Sequence, residues 1–453
     1  MTDIDDDIDD LTELTQRAEA LLAAALKAGA SAADVVGIRQ MSLSVDIRSG
    51  TLEEVTRAEA RDLGLRVFDG QRTAIVSTSN TDAAAFPEIA ERAVAMARVA
   101  PEDAYAGLAS RGEFTDTYPE LDIWAGPLPS AEALEAMARS ADDAARSADG
   151  ITNTETGASA AMTGVTLLTS EGFEGGYQRT RQGVSASAVA GSGTGMERDY
   201  AYSYKSHPAD VDPAEDVGRR AADQALARLN PRKAETQQVT VVYDPRVSGG
   251  LVASLASAAN GAAIARGTSF LKDRMGETIL PTSITVTDNP RKPRGIGSRP
   301  FDGDGLATAA LDIVKDGVLS SWVLDLATAR ELGLKSTGHA ARTVSSAPTP
   351  STSNLAISPG PQSPEDLMRA IGTGFYVTEL IGMGANLVTG DYSRGAAGFW
   401  IENGEIAYPV SEVTIAGSLK DMFLKLVLAN DITDRYAIAA PTIAIEGMTL
   451  AGR

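Results

Sequence analysis

The chain has 453 residues, of which 43% are hydrophobic and 22% charged, a composition that suits two or three folded domains and argues against a disordered polymer. Its 40 basic and 61 acidic side chains leave a net charge of −21, which repels phosphate backbones and anionic lipid. There is no cysteine and there are only two histidines, so disulfides, thiolate nucleophiles and cysteine–zinc sites are excluded.

The first residues, MTDIDDDIDDLTELT, are acidic where a signal peptide is basic. No apolar run reaches the eighteen or so residues of a membrane span. A cytoplasmic location is expected, with no nucleic-acid or membrane partner.

Taken in order, residues 9–29 carry Leu11, Leu14, Ala18, Leu21, Leu22 and Leu26 on one side, a helix whose acidic start suits the dipole. LSVDIRSG alternates Leu43, Val45 and Ile47 as a half-buried strand. Asp69-Gly70 between apolar runs marks a hairpin. A helix opens near Thr81 or Asp82, and 101–128, rich in Pro, Gly, Asp and Tyr, is a connection. The pattern then recurs: a helix over 130–148 opened by Ser130, three strand-like stretches up to RDYAYSYKS, and a helix near 212–229. TQQVTVVYDP (236–245) is a buried strand that runs into the helix GGLVASLASAANG (249–261), with Leu251, Leu255 and Ala258 on its apolar stripe. IVKDGVLSSWVLD and FWIENGEIAYPV carry Asp-Gly and Asn-Gly turns. SLKDMFLKLVLAN is a helix capped by Ser418, and APTIAIEGMTLAG an alternating strand. Hairpins dominate and βαβ spacing is absent, so the sheets should be antiparallel. The fold class is α+β: antiparallel sheets with flanking helices, in an N-terminal two-part region (1–110 and 120–232) and a strand-rich C-terminal domain (236–453).

Most motif-like stretches lack the context that their chemistry needs. GSGTG (191–195) has no following Lys-Ser/Thr and no helix, so it reads as a loop. His207 and His339 have no second histidine at helical spacing and read as surface or hydrogen-bonding residues. FDGDG (301–305) lacks the later ligands of a calcium loop and reads as a tight turn. Ser269 and Lys272 have Ser-x-x-Lys spacing, with KSTG at 335–338, but the Ser-Asp-Asn element of penicillin-recognising enzymes is missing. The densest polar segment is 390–412, with Asp391, Tyr392, Arg394, Trp400, Glu402, Glu405 and Glu412. It is either the wall of a peptide cavity or interface, or a hairpin with a solvated charged face and an internal Arg–Asp pair.

GDYSRGAAGFWIENGEIAYPVSEVTIAGSLKDM resembles the signature of the TldD/PmbA family, also known as modulators of DNA gyrase. IEGMTLAG, RSGTLEEV, GLRVF and TSFLKDRMGE fit it too, and the resemblance runs from about residue 30 to the end, toward the PmbA (TldE) branch. It implies a heterodimer of TldD-type and TldE-type chains that acts as a zinc metallopeptidase on unfolded or modified peptides. The zinc helix, His-Glu-x-x-x-His, belongs to the TldD-type chain. Laid on that pattern, the first His falls at Ala253, the Glu at Ser254 and the second His at Ala258, so the ligand-equivalent positions are replaced. The expectation is a subunit without catalytic residues, metal or other cofactor of its own, with zinc on a TldD-type partner and an extended peptide as substrate. The alternative is an independent regulatory or binding protein, a homodimer, that modulates a topoisomerase or toxin system.

Overall fold

The computed structural model describes residues 11–114, 117–382, 384–434 and 438–453. The acidic lead-in expected to start the first helix lies outside the described residues. Helix α1 (Thr12–Lys27) buries Leu14, Ala18, Leu21 and Ala25, a stripe at three- and four-residue spacing. Strands β1 (Ala32–Arg48), β2 (Thr51–Asp69) and β3 (Arg72–Thr78) follow, and then α2 (Phe86–Val99). Asp82 accepts from Ala84 N and opens a 3-10 turn ahead of α2. The second unit repeats the order: α3 (Ala131–Arg146), β4 (Ile151–Thr169), β5 (Glu174–Ala190), β6 (Glu197–Lys205) and α4 (Ala214–Ala227). Ser130 caps α3 through Ala133 N.

The two units share one antiparallel sheet of order β3-β2-β1-β4-β5-β6. Its centre is the β1–β4 pair, with Met41 opposite Met162, so the strand order reads the same from either edge. Helices cover one face: α1 and α2 over β1 to β3, α3 and α4 over β4 to β6. The other face receives segments from the last third of the chain. Phe301 stacks among Phe173, Tyr177 and Tyr118 at centroid distances of 5.1, 5.4 and 5.5 Å.

The C-terminal part begins with β7 (Gln237–Tyr243), α5 (Pro245–Ala258) and α6 (Gly261–Ala265). Helix α5 starts four residues earlier than its two glycines suggest, because Asp244 accepts from Arg246 N and Pro245 takes the first turn. Short strands β8 (Val286–Asp288), β9 (Leu311–Lys315) and β10 (Val318–Leu319), helix α7 (Leu326–Glu331), and strands β11 (Ala340–Ala341), β12 (Thr349–Pro350) and β13 (Leu355–Ile357) lead to α8 (Pro364–Ile371). Strands β14 (Gly374–Ile381), β15 (Asp391–Glu402) and β16 (Glu405–Ser418), helix α9 (Leu419–Leu424), and strands β17 (Leu426–Leu428) and β18 (Ile443–Ala451) complete the chain.

The large C-terminal sheet runs β16-β15-β14-β7-β18-β17, and β16 also pairs with β18, so five strands close on themselves. One pair departs from the antiparallel expectation. Gly374–Val377 of β14 runs parallel to Thr240–Tyr243 of β7. The crossover between them is residues 244–373, far longer than a βαβ unit, so it leaves no local spacing to read. The helix expected over SLKDMFLKLVLAN also stops early. Leu426–Leu428 pairs with Ile443–Ile445 instead, and Ser418 makes no side-chain capping bond. No helix among the described residues is long and apolar enough to cross a membrane.

Candidate functional site

Helix α5 carries Ala253, Ser254 and Ala258, the positions that the resemblance lays on the zinc ligands. Leu251, Leu255 and Ala258 face the core, and Ala258 is fully buried. Gly250 and Ser257 are exposed, with Ala253 and Ser254 half-buried beside them. Ser254 Oγ donates to Gly250 O at 2.8 Å, the usual back-bond of a helical serine. The residues do not fit a zinc ion: two methyl groups carry no donor atom, and the one hydroxyl is engaged with its own helix. Among the described residues no group of three or more His, Asp or Glu side chains is placed to hold a metal.

The 390–412 segment is the β15–β16 hairpin, and its side chains separate. Tyr392 and Trp400 belong to the C-terminal core. Burial raises the pKa of the Tyr392 hydroxyl, against the opposing effects of a hydrogen bond with Tyr243 and the nearby Arg394 charge. Arg394 donates to Leu380 O at 3.4 Å, while Asp391 is exposed and accepts from Thr389 Oγ1 at 2.6 Å. The internal Arg–Asp pair is therefore not made. Glu402 and Glu405 are exposed at the turn, and Glu412 pairs with Lys233. Tyr392 and Arg394 lie together; Asp391, Glu402 and Glu412 do not converge with them.

The other sequence candidates take structural positions. Ser269 is buried, donates to Ala258 O at 2.5 Å and accepts from Leu271 N at 3.1 Å, so it closes the end of α5. His207 Nε2 is 3.4 Å from Asp122. His339 is fully buried, not a surface residue. Its Nδ1 is 2.7 Å from Thr337 O, and its Nε2 is 3.2 Å from Asp288 Oδ2 without hydrogen-bond geometry.

A buried polar cluster joins the N-terminal sheet to the C-terminal segments. Asp34 on β1 accepts from Arg66 Nε on β2 at 2.9 Å and from Arg342 Nη1 at 2.8 Å. Burial alone would raise the Asp34 carboxyl, but the charges of Arg342 and Arg66 outweigh it and hold it below its ordinary value. FDGDG is indeed a turn, and its two carboxylates are buried in it. Asp302 accepts from the backbone N–H of Asp304, Leu306 and Ala340. Desolvation and the Asp304 charge still push Asp302 up to about 7, and desolvation pushes Asp304 up to about 6 against the pull of Arg66. Beside this cluster, a cavity of about 280 Å³ opens between the sheet and the segments 297–303 and 340–343. Residue spacing carries no trace of it, because Asp34, Arg66, Arg299 and Arg342 come from distant parts of the chain. The only local sign is an acidic turn placed among apolar residues.

An α+β chain with a shared six-stranded antiparallel sheet and a closed C-terminal sheet is the class of molecule this fold defines. Three family models match it in order: PmbA/TldA metallopeptidase domain 1 over 33–97, the central domain over 125–229, and the C-terminal domain over 236–452. The chain belongs to the PmbA/TldD metallopeptidase family. It is 38% identical over 424 residues to Metalloprotease PmbA of Escherichia coli O157:H7, covering 93% of this chain and 92% of that protein. It is 34% identical to the PmbA homolog of Haemophilus influenzae, covering 97% and 96%. A crystal structure from Bacteroides thetaiotaomicron, described as a putative modulator of DNA gyrase, superposes with a TM-score of 0.89 at 26% identity, covering 97% and 98%. TldE from Thermococcus kodakarensis shares the fold, with a TM-score of 0.84 at 19% identity over 96% of this chain and all of that one.

Proposed function

We propose that this chain is the TldE-type, non-catalytic subunit of a peptidase whose zinc is carried by a TldD-type partner, and that the complex acts on extended, unfolded peptides. One observation carries the reading. The α5 positions that hold His, Glu and His in the resemblance are Ala253, Ser254 and Ala258, and these offer neither a metal ligand nor a general base. The chain keeps the helix while lacking its chemistry, as a structural companion would. Gly250, Ala253, Ser254 and Ser257 also leave one face of α5 low enough for a second backbone to approach closely.

An extended peptide is held through its main chain, which gives affinity without strict sequence demands. Elemental analysis tests the proposal. The isolated chain should contain no stoichiometric zinc after dialysis, and the complex with its TldD-type partner should contain about one equivalent per heterodimer. One tightly held zinc in the isolated chain would overturn it.

A further inference from the structure

The cavity between the sheet and the C-terminal segments has a built-in charge excess. Three arginines line it: Arg179 on β5, Arg299 and Arg342. Among the described residues Arg179 has no hydrogen-bond or ionic partner. Arg299 reaches only a backbone carbonyl, Ser351 O, at 3.1 Å, and its Nε is buried without a partner. Arg342 has a side chain only 3% exposed; Asp34 takes its Nη1, while Nε and Nη2 are buried and unpartnered. Asp34 is shared with Arg66, whose guanidinium also lies 3.9 Å from Asp304. Among the described residues the single acid on the cavity wall is Asp302, with both oxygens already held by backbone N–H groups and its pKa raised by burial.

Buried guanidinium donors without acceptors are costly, and their flat fork matches a carboxylate. A cationic pocket in a chain of net charge −21 therefore calls for an anionic ligand. The remaining wall says what else the ligand carries. Strand register sets Ile38, Val165 and Tyr177 in one row across β1, β4 and β5, and Gln40, Thr163 and Arg179 in the next. The floor is thus apolar, with Arg179 at its Gln40 end and Arg342, bonded to Asp34, toward the opposite end. About 280 Å³ suits one or two amino-acid residues and is small for a dinucleotide. Beyond the Gln40 row the same sheet face continues with Ser42, Ala161 and Arg181, the last lying over the Tyr204 ring, and then with Ser44, Ser159 and Gly183, a row of small groups that leaves a shallow track for an extended chain.

We propose that this cavity binds the C-terminal carboxylate of an extended peptide, with the peptide's last, apolar side chain on the Ile38–Val165–Tyr177 floor. This rests on the peptide-handling role proposed above, but not on which subunit holds zinc, because it concerns binding to this chain alone.

The test is calorimetric titration of the isolated full-length chain with a flexible hexapeptide ending in leucine, as the free acid and as the C-terminal amide. The acid should bind at least tenfold more tightly than the amide, and Arg179→Gln and Arg299→Gln should each remove most of that difference. Arg179 is partnerless, so its replacement leaves the fold intact, and an unchanged melting temperature checks this. Equal binding of acid and amide, no binding of either, or a preference for the acid that survives both substitutions would overturn the proposal. So would an amidated peptide with an internal aspartate that binds as tightly as the free acid, which would assign the pocket to side-chain carboxylates. Inorganic phosphate should compete with the acid and leave any residual amide binding unaffected; failure to compete would count against the cationic pocket. Zinc found in the isolated chain would defeat the subunit assignment while leaving this result standing.

Discussion

Asp34 Oδ1 accepts from Arg342 Nη1 at 2.8 Å, although the two residues are 308 positions apart. Its other oxygen takes Arg66 Nε, so one carboxylate on β1 ties the N-terminal sheet to the C-terminal segment that roofs the cavity. Removing it leaves Arg342 buried without the anion it pairs with, and Arg66 with Asp304 at 3.9 Å. Asp34→Ala should therefore lower the unfolding free energy by about 3–5 kcal/mol. Guanidinium denaturation measures this, and an unchanged midpoint would show that the clasp contributes nothing.

The acidic turn below the clasp makes stability depend on pH in the opposite sense to Asp34. Burial raises Asp302 to about 7, so between its ordinary value near 4 and that point the folded chain holds more protons than the unfolded chain. The stability from this group is complete below about pH 4 and is lost as the pH rises to about 7. Asp34, held low, contributes stability above about pH 4 that is lost as acid protonates it. Asp302→Asn removes the first effect and keeps the second. Relative to the parent, the variant should gain stability, or lose less of it, as the pH goes from about 4 to about 7. Parallel pH profiles for the two proteins would contradict the assignment.

Gly64 and Gly250 should respond oppositely to alanine. A Cβ at Gly64 would lie 2.1 Å from Val344 O, where the C-terminal segment crosses the sheet, so Gly64→Ala should cost about 1–3 kcal/mol through overpacking. A Cβ at Gly250 meets nothing within 4 Å and sits in the interior of α5, so Gly250→Ala should stabilise the isolated chain by about 0.5–1 kcal/mol. Thermal melts of the two variants check both signs at once.

Ser269 closes the end of α5 through Ala258 O, a role that needs its proton donated and its oxygen engaged. A serine-reactive acylating probe should leave it unlabelled, and Ser269→Ala should lower stability by about 1 kcal/mol. A Ser269 adduct found by peptide mapping would revive it as a nucleophile.

Local chemistry made much of this fold readable. Asp69-Gly70, Asp316-Gly317 and Asn403-Gly404 each join two antiparallel strands, and the last two turns place both residues at positive φ. Ser130 caps its helix as a serine before an apolar-periodic run should. What stayed hidden depends on distant partners. The β7–β14 parallel pair, the closure of β16 on β18 and the Met41–Met162 centre of the shared sheet leave no periodic mark. The same holds for the site. Ala253, Ser254 and Ala258 could be singled out only by laying their helix on the family's pattern, whereas Arg179, Arg299 and Arg342 meet through topology. His339 shows the limit most plainly, since nothing in TGHAA announces a fully buried ring beside Asp288.

The role proposed for this chain is to support peptide cleavage without performing it. Its most direct test is the rate at which a flexible, fluorogenic peptide is cut by the purified chain alone, by its TldD-type partner alone and by the two together, each with and without a zinc chelator. Background turnover by this chain alone and chelator-sensitive cleavage by the pair are expected. Chelator-sensitive cleavage by this chain on its own would contradict that role.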